Sequence, residues 1–274
     1  MSAKKNHNNK FIFDKENKLF HKFPSQLMLK SELEMTLKAK ELSDRSGLFY
    51  VPNVIDYTKD KLIFELLACN TSLRAYFLKS TKTFSMSKDN LVDIRKVFFN
   101  VGLVLGEIHS NNQVFLGVKK KYLDLEFNIN ESDNVYLHGD FSISNVLYDV
   151  NLKRISVIDW SLSQLFSSPA NYGPRYWDLT FFISTFFYAS LSTYYSYKLR
   201  EILVREFLLG YLEKTQIDRN IFSNNLGQFI YQFNTYELYD KMNNEKVSGL
   251  KSLLWQRSKS KLLSFSKRIE QDFL

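Results

Sequence analysis

The sequence predicts an α+β chain in two lobes, an abbreviated β-rich N-terminal lobe over residues 1–67 and a helical C-terminal lobe over residues 68–274. Three observations carry this reading. Short aromatic or β-branched runs crowd the first 67 residues around a single helix pattern. From residue 71 onward, apolar residues recur at helical spacing. Three short strand patterns between residues 134 and 158 interrupt those helices, which brings any motif on them to the cleft between the lobes.

Taken in order, Phe11-Ile-Phe13 and Lys18 to Phe23 flank Asp14-Lys-Glu-Asn17, the composition of a hairpin turn. Residues 26–43 read as a helix, with Leu29, Leu33 and Leu37 four apart. After Gly47, Leu48 to Ile55 and Lys61 to Leu67 read as two further strands. Asn90 to Ser110 is a long helix, apolar at 91, 94, 97, 98, 101, 105 and 108. Asn134 to His138, Asn145 to Tyr148 and Arg154 to Ile158 are the short strands, and helices follow near 176–195, 197–214, 220–245 and 250–272. No repeat and no Pro-, Gly- or Ser-rich linker divides the chain.

Composition excludes several classes. With 24 Phe and 16 Tyr, the chain has ample material for a core, which excludes disorder as its main state. Cys69 is the single cysteine, so no internal disulfide framework exists, and one Cys with four His argues against a zinc site. The polar start of the chain is not a secretory signal, and with a reduced thiol this places the expected location in the cytoplasm. The most apolar stretch, Leu179 to Tyr195, is interrupted by Ser and Thr and is short for a membrane span, so a buried helix is expected there. The net charge of +8 gathers at the ends: residues 1–40 carry nine Lys against four acids, and residues 250–274 carry six Lys or Arg against Glu270 and Asp272. Basic ends suit an anionic surface or substrate. Near the C-terminus, Leu254, Trp255, Leu262, Phe265, Ile269 and Phe273 share one helical face beside Lys251, Arg257, Lys259, Lys261, Lys267 and Arg268. That pattern fits either a helix packed on the C-terminal lobe or peripheral contact with an anionic membrane.

The chemistry sits in His138-Gly-Asp-Phe-Ser-Ile-Ser-Asn145 and Ile158-Asp-Trp160. In these motifs the sequence resembles the aminoglycoside phosphotransferase/choline kinase-like family of the protein-kinase-like fold, most closely from Leu105 to Asp178. Phosphoryl transfer needs positioned charge more than covalent chemistry. One carboxylate must orient the acceptor hydroxyl and take its proton, and two oxygen ligands must hold Mg²⁺ against the phosphates. Asp140 and Asn145, five apart on a loop between short strands, can face one pocket, and Asp159 returns to it one hairpin later. The resemblance implies Asp140 as catalytic base, with Asn145 and Asp159 as metal ligands.

It further implies that His138 organises the loop backbone, that His109 is packed at a helix end, and that Asp178 braces the lower lobe. Ser142 stands where protein Ser/Thr kinases carry a Lys, which favours a small-molecule kinase. Nucleotide binding in this fold uses a strand Lys paired with a helix Glu. Lys22 is the candidate Lys, with Glu34 as its expected partner and Glu32 as the alternative, and the backbone around Glu65 and Leu67 is the expected adenine hinge. The first glycine is Gly47, so no glycine-rich phosphate loop precedes Lys22, and with so few residues before it one strand of the usual sheet is expected to be missing. Hydrolase chemistry finds no G-x-S-x-G motif, and no nucleic-acid-binding module is recognisable, so no nucleic-acid partner is expected.

The expected function is an ATP-dependent phosphotransferase, with ATP and Mg²⁺ as cofactors. Its acceptor is a hydroxyl of a small molecule or a glycan, such as a lipopolysaccharide or capsule sugar. The alternative is a catalytically weak pseudokinase acting as a binding or regulatory module, which the missing glycine loop favours.

Overall fold

The structure, a computed structural model, describes residues 10–24, 26–67, 70–81, 88–111, 133–160, 172–189, 197–235 and 249–272. In the N-terminal lobe, β1 (Lys10–Asp14) and β2 (Leu19–Phe23) form the expected hairpin. The Asp14 carboxylate holds its turn, accepting from the Asn17 N–H at 3.0 Å and from Asn17 Nδ2 at 2.8 Å. β3 (Val54–Tyr57) and β4 (Leu62–Glu65) complete an antiparallel sheet in the order β1-β2-β4-β3. The strand expected from Leu48 is confined to its end, because Pro52 has no N–H to give a ladder. Instead Val51 is buried, and Tyr50 forms a parallel bridge to Ser156 in the other lobe.

Helix α1 (Gln26–Ser46) ends at Gly47, whose φ of +66° admits the turn and whose N–H donates to the Ser43 carbonyl at 2.9 Å. Its buried face carries Leu29, Glu32, Met35, Ala39 and Leu42, whereas Leu37 is exposed. Four-residue spacing drifts by about 40° per step, so Leu29 and Leu37 lie about 80° apart on the helix.

The C-terminal lobe begins with β5 (Thr71–Ser72) and α2 (Leu73–Ser80), which Ser72 caps by accepting from the Ala75 N–H. α3 (Lys88–Ser110) crosses α5 (Tyr197–Thr215) at glycines. A Cβ on Gly102 would lie 1.9 Å from the Phe207 carbonyl oxygen, and one on Gly210 would lie 2.0 Å from that of Phe99. The two backbones therefore touch, and Gly102→Ala must force them apart. That variant should lose about 3 kcal/mol or more, read as a lower midpoint of thermal unfolding; an unchanged midpoint would contradict the crossing.

Helix α4 (Tyr176–Tyr188) is buried from Tyr176 to Phe187 except at half-buried Thr185, packed among α5, α6 (Arg219–Thr235) and α7 (Leu250–Asp272). This is the buried helix expected from the apolar run; residues 190–196 lie outside the described residues. Among the described residues no helix is long and apolar enough to cross a membrane. The apolar face of α7 is turned inward: Leu262, Phe265 and Ile269 are buried, and Phe265 stacks on Phe187 at 5.5 Å. Phe273 lies outside the described residues, as does the 236–245 end of the helix expected near 220–245.

Short strands carry the loops of the cleft. β6 (Asn134–Tyr136) pairs with β9 (Tyr172–Pro174), and β7 (Val146–Asp149) pairs with β8 (Arg154–Val157) and with β5. The architecture is thus a small antiparallel N-terminal sheet over a helical C-terminal lobe, with the β6–β8 loops between them.

Candidate active site

Alternation along β2 places Phe20 and Lys22 on one face of the sheet, toward the cleft. Lys22 is buried, and its Nζ lies 2.5 Å from Glu32 Oε1 and 2.6 Å from Asp159 Oδ1. One ammonium thus joins β2, α1 and the loop after β8. Burial alone would lower the Lys22 pKa, but Asp159 and Glu32 together outweigh it and hold the pKa above its ordinary value.

The partner is Glu32 and not Glu34, which corrects the pairing expected from sequence. Glu34 lies about 160° around the helix from Glu32; its side chain is 43% exposed and pairs with Lys38 at 3.5 Å. The buried face of α1 runs through Glu32, so the Leu29–Leu33–Leu37 row misidentified the inward side.

Asp178, fully buried on α4, organises the loop from His138 to Asn145. Its Oδ2 accepts from the His138 N–H at 2.7 Å and contacts His109 Nε2 at 3.1 Å, while its Oδ1 accepts from the Gly139 N–H at 2.9 Å. Gly139 has φ +85°, a turn that a side chain would strain, and its carbonyl accepts from Trp177 Nε1. His138 Nδ1 accepts from the Asp140 N–H at 3.2 Å, and its Nε2 donates to the Ile158 carbonyl at 3.1 Å. The ring is therefore neutral and ties the loop to the segment bearing Asp159; burial lowers its pKa accordingly. His109 is likewise buried, bonded to Tyr211 and Asp178, and depressed by burial.

Asn145 links the two carboxylates. Its Nδ2 donates to the Asp140 carbonyl at 3.0 Å, and its backbone carbonyl accepts from the Ile158 N–H at 3.0 Å. Asp159 has φ +61°, a left-handed conformation that costs an ordinary residue about 1–2 kcal/mol. Such strain persists where the surroundings enforce it, and here it aims the carboxylate at Lys22. Burial first, then Asp159, raises the Asp140 carboxyl to about 7. With its amide nitrogen on the Asp140 carbonyl, Asn145 keeps its side-chain oxygen as an acceptor. Two hard oxygen donors suit Mg²⁺ or Ca²⁺ better than a soft metal.

Between the lobes lies a cleft of about 340 Å³, lined by Phe20, Lys22, Phe64, Leu67 and Asp159 among others. The Glu65 carboxylate is engaged by the Tyr50 hydroxyl and by Asn53, and its N–H donates to the Asn53 carbonyl at 3.1 Å, so neither its side chain nor its N–H is open to a ligand. The Leu67 N–H has no acceptor among the described residues. Where a glycine loop would cover phosphates, β1 presents Phe11 and Phe13, both against Phe20 at 5.5 and 5.1 Å. The Phe-Ile-Phe alternation was the sequence signal for this aromatic wall.

A second pocket of about 280 Å³ opens on Asp140 and is bounded by Arg74, Phe181, Tyr188 and Trp255. Sequence reasoning did not bring these four together, because they come from three separate helices and share no motif.

No protein-family model matches the chain, and no curated protein matches it in sequence. Solved structures do match. A choline/ethanolamine kinase family protein from Mesorhizobium loti is 12% identical, with 98% of this chain and 87% of that one covered and a TM-score of 0.53. The amicoumacin kinase hAmiN, solved with AMP-PNP, Ca²⁺ and Ami, is 11% identical over the same shares, with a TM-score of 0.56. The macrolide 2'-phosphotransferase MphH from Brachybacterium faecium is 14% identical over 93% and 88%, with a TM-score of 0.51. The chain has the two-lobed, protein-kinase-like fold of these phosphotransferases, as the His138–Asn145 and Ile158–Trp160 motifs implied.

Proposed function

We propose that the protein is an ATP-dependent phosphotransferase that moves the γ-phosphoryl group to a hydroxyl of a small molecule. The observation that carries this is the Lys22–Glu32–Asp159 cluster on one side of Asn145 and Asp140, open to a second pocket, on the other. The similar structures are kinases of small molecules, and one of them holds a nucleotide analogue and a divalent cation. In this reading residues 1–67 form the nucleotide side and residues 68–274 the acceptor side.

Lys22 meets the phosphates, and the Glu65–Leu67 backbone meets adenine. Asn145 and Asp159 would hold Mg²⁺, which when bound neutralises phosphate charge. The acceptor oxygen bonds to the γ-phosphorus while its proton passes to Asp140. The bond from that phosphorus to the β–γ bridging oxygen breaks, and ADP leaves. A base near pH 7 is ionised often enough to act and still basic enough to take the proton.

Wild-type protein should show a thermal shift with MgATP and release ADP with a suitable acceptor. In Asp159→Ala, adding Mg²⁺ should no longer raise ATP affinity in calorimetry, whereas Lys22→Ala weakens ATP binding but keeps its Mg²⁺ dependence. Retained Mg²⁺ dependence in Asp159→Ala would sink the metal role. The second reading, a binding module without efficient turnover, is favoured by the aromatic wall that replaces a glycine loop; MgATP binding without ADP release would select it.

The finer parts of the proposal are a glycan hydroxyl as acceptor, a cytoplasmic location and contact with an anionic membrane. The basic chain ends support them. With the apolar face of α7 buried, such contact falls to exposed residues such as Lys261 and Lys267.

A further inference from the structure

The pocket beyond Asp140 has a definite charge and shape. Among its described lining residues Asp140 is the one carboxylate and Arg74 the one cation. Arg74 is held in place twice. Its backbone N–H donates to the Ile143 carbonyl at 3.1 Å, three residues after Asp140, and its Nε donates to the Ala189 carbonyl at 3.1 Å. No carboxylate among the described residues pairs with it. The opposite boundary is aromatic: the Tyr188 and Trp255 rings stack at 3.8 Å and 9°, with Phe181 nearby. Ser142, Ser144 and Thr185 line the space between.

Among the described lining residues an ammonium-bearing acceptor would find no carboxylate except the base itself, and a desolvated charge needs a partner. An anion finds a guanidinium whose remaining N–H groups match a carboxylate or phosphate. A pyranose ring has an apolar C–H face that an aromatic wall desolvates, and hydroxyls that Ser and Thr can bond.

We propose that the acceptor is a hydroxylated ring carrying an anionic group, a sugar phosphate or sugar acid, bound with the anion at Arg74 and the ring against Tyr188 and Trp255. This rests on the phosphotransferase reading. With the anion at Arg74 and a hydroxyl at Asp140, Arg74 sets both charge preference and orientation.

The test uses the full chain with MgATP and five acceptors: glucose 1-phosphate, glucuronate, glucose, glucosamine and choline. ADP release is measured and products are identified by mass. At least one anionic acceptor should exceed glucose in kcat/KM by about tenfold or more, the factor one charge-assisted hydrogen bond supplies, and the two cations should fall below glucose. Phosphate and carboxylate arms tell which anion is preferred. Arg74→Ala should erase the anionic advantage through KM, and Arg74→Lys should restore part of it. Better use of glucosamine or choline, or an unchanged anionic-to-neutral ratio in Arg74→Ala, overturns the proposal. If no acceptor is phosphorylated, calorimetry of the two anionic sugars decides. Binding lost in Arg74→Ala supports it, and no binding at about 10 mM, some 2.7 kcal/mol, overturns it. Failure of the underlying reading shows separately, as wild-type protein without a MgATP thermal shift.

Discussion

Asp140→Asn should abolish phosphoryl transfer while leaving the protein folded and able to bind MgATP. The loss in kcat should be on the order of 10²–10⁴-fold, the contribution of a positioned general base. The fold should survive because the loop is held by groups the substitution does not touch. The Asp140 N–H still reaches His138 Nδ1, and the Asp140 carbonyl still accepts from Asn145. The Asp159 charge helps raise the Asp140 carboxyl, so removing the Asp140 charge relieves repulsion and does not create an orphan. Steady-state ADP release with the best acceptor, alongside circular dichroism and thermal unfolding, checks both halves. Near-native turnover would remove Asp140 from the role of base.

Asp178→Ala should act in the opposite manner, on stability first and on activity as a result. The carboxylate is fully buried and accepts from two backbone N–H groups, those of His138 and Gly139, besides contacting His109. Without it both N–H groups are buried and unpaired, at about 1–3 kcal/mol each. A loss of about 3–5 kcal/mol should lower the unfolding midpoint by roughly 10 °C or more for a chain of this size. Turnover at temperatures where the variant is still folded should fall as well, because the turn that aims Asp140 is no longer fixed. A midpoint within about a degree of wild type would mean that the loop holds itself.

The parts of this structure that were legible in the sequence are those whose partners are near in the chain. The His138–Asn145 loop and Ile158–Trp160 are local, and their turn residues and flanking strands mark them. The long helices declared themselves by period. Other features left no periodic signal: β5 has two residues and β9 three, too few to show alternation. The reach of Lys22 to Glu32 depended on which face of α1 is buried, and a row of leucines at four-residue spacing drifts away from that face. The stretch from Leu48 looked like a strand because it is rich in apolar and β-branched residues, of which Phe49 and Val51 are buried, but Pro52 and the bridge at Tyr50 give it another role. In α7 the amphipathic pattern said that one face must be covered; that α4 and α6 cover it is tertiary information. The acceptor pocket was illegible for the same reason, since Arg74, Tyr188 and Trp255 meet through the packing of three helices.

The bridge at Tyr50 bears on how the N-terminal lobe would meet the proposed nucleotide. Tyr50 donates its N–H to the Ile155 carbonyl and accepts from the Val157 N–H, both at 2.9 Å, and its hydroxyl engages Glu65. The chain just after α1 is thereby grafted onto β8, two residues before Asp159. Glu32 and Asp159 are carried on elements fastened to each other, and Lys22 closes the arrangement before any ligand arrives. Preorganisation of this kind leaves little ordering entropy to lose on association. A site that lacks a glycine cover makes fewer contacts with phosphates, and rigidity built in beforehand is the compensation available to it. Nucleotide binding should accordingly show a small entropic penalty in calorimetry.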